Sequence, residues 1–110
     1  MAANKFTNNL TNRVSISGNH VRVTLVANVG TGNGGTSLPC KGCWVQPVLG
    51  NTSLVRVSIG TTASATVGID LPFTSATVQT VPTFIPIDDV AKLTFYSALA
   101  TAVVDILYLL

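Results

Sequence analysis

Residues 20–29, HVRVTLVANV, alternate so that Val21, Val23 and Leu25 fall on one face of an extended chain and Arg22 and Thr24 on the other. A period of two cannot make one covered side of a helix; it marks a strand buried on one face. The rest of the chain agrees. Val, Ile and Thr number 36 of its 110 residues, and β-branched side chains fit a pleated surface better than a helix. That length holds one domain with one core. The expected fold class is all-β.

Further alternating pieces follow, separated by turn residues. GTGNGG at 30–35 supplies four Gly and an Asn, which accept positive φ, and reads as a turn or exposed loop. From Gly42 to Val48, Cys43 and Val45 share one face and Trp44 and Gln46 the other, with Pro47 pointing to an edge strand or a bulge. A turn at residues 49–52 leads into SLVRVSIG, with Val55, Val57 and Ile59 inward and Leu54, Arg56 and Ser58 outward, so these two strands are expected to form a hairpin. Residues 61–68 are small and polar and read as a connection. Ile69 to Leu71 is a short strand stopped by Pro72, and Thr77–Val81 and Phe84–Ile87 are short extended pieces punctuated by Pro82 and Pro86.

The C-terminal segment admits two readings. Asp88-Asp89 can cap a helix through VAKLTFYSALATAVVDILYLL, whose Ala and Leu are good helix formers. Strands are favoured, because Leu93 and Phe95 alternate with Thr94 and Tyr96, 99–101 can turn, and 103–110 is rich in β-branched and aromatic residues. Seven or eight short strands then make a single-domain antiparallel β-sandwich of the jelly-roll kind over residues 13–110. Residues 1–12, with four Asn and no period, read as a flexible or partner-ordered N-terminal arm.

Charge narrows the function classes. Only 9% of residues are charged, against about 25% in typical soluble domains, and mean hydropathy is +0.53. Something is expected to cover part of this surface. The longest apolar stretch, Ala102–Leu110, is nine residues long and holds Asp105, far from the ~20 residues of a membrane-spanning helix. The N-terminus lacks the apolar core of a secretory signal, so the protein is expected to be made in a cytoplasm and kept there or released by lysis. The net charge is +2 and the six cations are scattered, which gives no phosphate-binding footprint, and nucleic acid is not an expected ligand.

No catalytic or cofactor-binding constellation is legible. His20 is the single histidine and has no nucleophile elbow near it, so it reads as a turn histidine. Cys40 and Cys43 have the spacing of a redox pair or half a zinc site, but no second such pair exists and no βαβ context surrounds them. Cys43 is expected to be a small buried hydrophobe. Asp88 and Asp89 are adjacent, would face opposite ways in a strand, and read as a turn. GTGNGG lacks the Lys-Ser/Thr of a phosphate loop. The expectation is a chain that is not an enzyme and that takes no metal or cofactor.

PCKGCWVQP, then GNTSLVRVSIG, VGIDLP, FIPIDDVAKLTFYSA and VVDILYLL, occur in an order that resembles a group of small tailed-bacteriophage virion proteins. The resemblance covers residues 38–110; Cys43 and Trp44 stand where that group has a small β-branched pair, and LPFTSA replaces its LAPGES turn. It implies a β-sandwich structural protein without catalytic residues, of the capsid decoration or cement type, on the outer surface of the virion. Its partners would be the major capsid protein and other copies of itself, a trimer being the expected homo-oligomer. The candidate interface residues are Phe6 and Leu10 in the arm and Trp44, Arg56 and Tyr96 in the sandwich. The alternative is a tail fibre or spike module that binds host glycan through exposed aromatics such as Trp44 and Tyr96.

Overall fold

The computed structural model describes residues 19–73, 77–78 and 80–110. Eight strands follow one another: β1 (His20–Thr24), β2 (Val29–Thr31), β3 (Cys43–Pro47), β4 (Val55–Ile59), β5 (Ile69–Asp70), β6 (Thr83–Ile85), β7 (Leu93–Ser97) and β8 (Val103–Tyr108). They form two four-stranded sheets, ordered β1-β8-β3-β6 and β2-β7-β4-β5, and every pairing is antiparallel. This is the strand order of a jelly roll, in which the chain alternates between the two layers except at β4 and β5, which share one. The C-terminal segment is strand on both sides of a turn, and the described residues contain no α-helix; a 3₁₀ turn spans Val90–Lys92. The arm, residues 1–12, and the expected start of the domain at Arg13 lie outside the described residues.

Alternation fixes what the layers bury. Cys43, Val45, Val55, Val57, Leu93, Phe95, Val104 and Ile106 are all inside, and they form one core with Val23, Leu25, Leu71, Ile85 and Val90. Each layer thus offers one apolar face to the other and leaves its second face outward.

Five details differ from the sequence reading. The strand expected over 20–29 breaks at Thr24: Val26 and Val29 exchange backbone hydrogen bonds of 3.1 and 3.0 Å around Ala27 and Asn28, whose φ angles are +52° and +70°. Positive φ at both central residues makes a tight turn, and here it carries the chain from one sheet to the other. The loop expected at 30–35 is shorter, since Gly30 and Thr31 belong to β2; a Cβ on Gly30 would come 2.7 Å from Leu25 Cδ2, so the missing side chain lets β2 lie against Leu25. Pro47 lies in a strand flanked on both sides. The Val48 N–H bonds Val103 O of β8, so Pro47 N faces the β6 side, where the ladder has already ended at Val45. Nor are β3 and β4 a hairpin; they lie in opposite sheets. Two strands with one apolar face each satisfy that pattern equally well side by side or face to face, and alternation does not distinguish the two. Ile59, expected inward, is 50% exposed at the end of β4, beyond the last residue that β5 covers.

Candidate interface site

The outward face of the β1-β8-β3-β6 sheet is assembled by register. His20 stands opposite Leu107, Leu107 opposite Trp44 and Trp44 opposite Phe84, which makes one row across all four strands. In that row Trp44, Phe84 and Leu107 are 41, 42 and 43% exposed. The indole and the Phe84 ring meet edge to face with centroids 5.1 Å apart, the arrangement that ring quadrupoles favour. The next row runs Arg22, Asp105, Gln46. Arg22 donates to Asp105 through Nε at 2.8 Å and Nη2 at 2.9 Å, and His20 Nε2 lies 2.8 Å from the same carboxylate. Gln46 Nε2 donates to the carbonyl of Thr80.

Between the rows lies a shallow hollow of about 370 Å³ lined by His20, Trp44, Gln46, Pro82, Asp105 and Leu107. The Arg22 guanidinium holds the Asp105 carboxyl below its ordinary value; partial burial opposes this, and His20 adds to it. Asp105 is thus an ionised, already paired acceptor. The hollow offers an indole face, an imidazole, an amide and a compensated charge. These groups stack and hydrogen-bond, and among the described residues no Ser, Thr or Cys lines it. Among the described residues no group of three or more His, Cys, Asp or Glu is placed to hold a metal ion.

Scans of protein-family models, curated proteins and solved structures find no match to this chain.

The candidate interface residues do not converge. Trp44 is on the face just described, whereas Arg56 and Tyr96 are cross-strand neighbours on the outward face of the other sheet. Trp44 and Tyr96 therefore cannot serve one ligand. Arg56 is engaged locally, donating from Nε to Asp70 at 2.9 Å and from Nη1 to Ala65 O at 2.7 Å, which ties the 61–68 connection to β4 and β5. Phe6 and Leu10 lie outside the described residues. Cys43 is fully buried, and burial first, then the neighbouring Cys40, pushes its thiol up to about 12, so it packs as a hydrophobe. Asp89 caps the 3₁₀ turn, accepting from Ser37 Oγ at 2.6 Å, Leu38 N at 2.7 Å and Ala91 N at 2.9 Å. That is a turn, as the adjacent Asp pair implied.

Sequence reasoning missed Phe84, Leu107 and the Arg22-Asp105-His20 cluster. One signal was present: Asp105 is the single charge between Ala102 and Leu110, and alternation sets it opposite to Val104 and Ile106. Its partners sit about 85 residues away along the chain, and only register brings them near.

Proposed function

We propose that this chain is a non-enzymatic structural protein of a tailed-phage virion, a decoration or cement protein that binds and stabilises the major capsid lattice as a homo-oligomer, a trimer in the expected case. The observation that carries this reading is the row Leu107, Trp44 and Phe84, three large apolar side chains lying together and each about two-fifths exposed on a sheet face with a single compensated charge cluster. A face of this kind is stabilised when another protein covers it, and aromatic anchors at its centre supply most of the binding energy. Two further supports are the 9% charge of the whole chain and the motif order over residues 38–110. Many symmetry-related copies, each binding modestly, would clamp a lattice by avidity.

The test is binding of the purified chain to expanded heads that lack it, together with its copy number on virions by mass spectrometry. A copy number fixed by the head lattice, with binding lost in Trp44→Ser, supports the reading. A handful of copies per particle, or no binding to heads, overturns it. A second reading is a tail-associated module for host glycan. It is favoured by one feature, the Trp44 indole bordering a hollow that also holds His20, Gln46 and Asp105, since rings with a few convergent polar groups suit a sugar. The jelly roll is used by viral capsid and lectin domains alike, so the fold weighs equally for both. A shift of Trp44 fluorescence on adding cell-surface polysaccharide, without heads, selects the second.

A further inference from the structure

Eight Asn residues occur in the chain, and only Asn33 is followed by Gly. A side-chain amide can be attacked by the backbone nitrogen of the next residue. A side chain on that residue shields the nitrogen and narrows its backbone angles, whereas Gly does neither. Asn28 precedes the β-branched Val29 and Asn51 the β-branched Thr52. Asn51 is also 8% exposed, and both atoms of its amide are bonded to the backbone of Val103.

The structure leaves the Asn33-Gly34 pair open. It lies in the connection from β2 to β3, with Asn33 half-buried and Gly34 exposed. Gly34 has φ +59°, and a Cβ built there meets nothing within 4 Å. Its N–H reaches Thr31 O at 3.4 Å, longer than an ordinary hydrogen bond, so the nitrogen is held weakly. Two bonds of 3.0 Å close the turn, one from Thr36 N–H to Asn33 O and one from Asn33 Nδ2 to Thr36 O. None of these three bonds belongs to a strand ladder, so the turn opens without breaking a sheet.

We infer that Asn33 is a site of spontaneous modification by water, through a cyclic imide formed with Gly34. The Gly34 nitrogen gives its proton to hydroxide and attacks Asn33 Cγ. A bond forms between that nitrogen and Cγ, the Cγ–Nδ2 bond breaks, and Nδ2 takes a proton from water and leaves as ammonia. Water then adds to one of the two imide carbonyls and reopens the ring. Cleavage between the nitrogen and Cγ gives aspartate; cleavage between the nitrogen and the backbone carbonyl carbon gives isoaspartate, whose main chain runs through the side chain. The sum is one water consumed and one ammonia released, with nothing oxidised or reduced. Either product removes the Nδ2 donor to Thr36 O and so loosens the turn. The net charge falls by one unit from +2. Asn33 lines a hollow of about 350 Å³ in which Arg22 is the single charged lining residue among those described, so the new carboxylate is added beside the hollow's cation. This inference does not rest on the virion reading, because it concerns the chain alone in water.

The experiment is peptide mapping by mass spectrometry on the full chain, incubated for days at pH 6, 7 and 8, with cation-exchange chromatography of the intact protein. Asn33 is expected to convert before any other Asn, to a mixture of aspartate and isoaspartate that elutes earlier than the starting chain. The rate is expected to rise about tenfold per pH unit, as the deprotonated fraction of a weak acid does. Gly34→Ala is expected to lose most of the conversion both in buffer and in urea. The added methyl shields the nitrogen in either state, so a variant that fails to fold still reports. An Asn33 that stays intact, aspartate formed without isoaspartate, or a Gly34→Ala chain that converts as fast as the unsubstituted one would each overturn the inference.

Discussion

Asn51 is the residue whose replacement most directly tests how the layers are joined. It lies between β3 and β4, is 8% exposed, and reads both backbone groups of Val103 at the start of β8: Nδ2 donates to Val103 O at 2.8 Å and Oδ1 accepts from Val103 N at 3.0 Å. Val103 O keeps a second donor, the Val48 N–H at 3.0 Å, whereas its N–H faces Asn51 alone among the described residues. In Asn51→Ala the carbonyl loses one of two partners, about 0.5–1.5 kcal/mol, and the amide is left unpaired, about 1–3 kcal/mol. Val103 is half-buried, so water recovers part of the second figure. The expected loss is roughly 2–3 kcal/mol, a large share of the ~5–15 kcal/mol of a small domain. At ~4–8 °C per kcal/mol this is a fall in Tm of roughly 10–20 °C, measurable by circular dichroism melts at neutral pH. Asn51→Asp separates the two bonds. It keeps the acceptor but sets a carboxylate oxygen against Val103 O, so it is expected to melt low at pH 7 and to recover when acid protonates it. Asn51→Ala melting within about 2 °C of the unsubstituted chain would refute the reasoning, since it would mean that the two bonds are worth less than one ordinary hydrogen bond.

Three further outcomes follow from the same geometry. Asp105 titrates below its ordinary value in the folded chain, so its ionisation contributes stability above the unfolded carboxyl value near pH ~4 and loses it as pH falls through the folded value; urea melts between pH 2 and 6 are expected to show a solvent-screened contribution of about 0.5–1 kcal/mol that Asp105→Asn removes. A thiol reagent at pH 8 is expected to leave Cys43 unmodified in the native chain and to label it only in denaturant, because the thiol is buried and held protonated. Gly42 has φ +127° and a Cβ there would stand 2.6 Å from Phe84 Cζ, so Gly42→Ala is expected to displace the ring, part it from Trp44 and shift the indole emission, with a backbone cost of about 1–3 kcal/mol.

What could be read in advance was whatever a single strand determines alone. Which side of Cys43, Trp44 and Val45 faces inward follows from the period of two, and the structure has it so. The choice of strand over helix after Lys92 follows from the alternation of Leu93, Thr94, Phe95 and Tyr96. What pairing determines was out of reach. Alternation left β3 and β4 able to lie side by side or face to face, and it gave no means of setting Phe84 beside Trp44 or Arg22 beside Asp105, because cross-strand neighbours depend on sheet order and register. Pro47 misled for a related reason: an edge strand and the overhang of a flanked strand leave the same nitrogen without a partner. Of the candidate site Trp44 alone was therefore visible as a candidate residue, and nothing of it was visible as a site.

The strand order sets a demand on how this chain comes to fold. In the sheet that carries the Trp44 row, β8 lies between β1 and β3, so the first strand and the third have no contact in that sheet until the last one arrives. Likewise β7 lies between β2 and β4, and only β4 and β5 are neighbours both in sequence and in space. Loop closure over most of the chain has to precede the burial that repays it, which is the signature of slow folders. On the ribosome the earlier strands emerge with their apolar faces and edges unpaired, and the cell must hold them apart from one another until synthesis reaches β8. With only 9% of its residues charged, the chain is most exposed to misassembly during that waiting period.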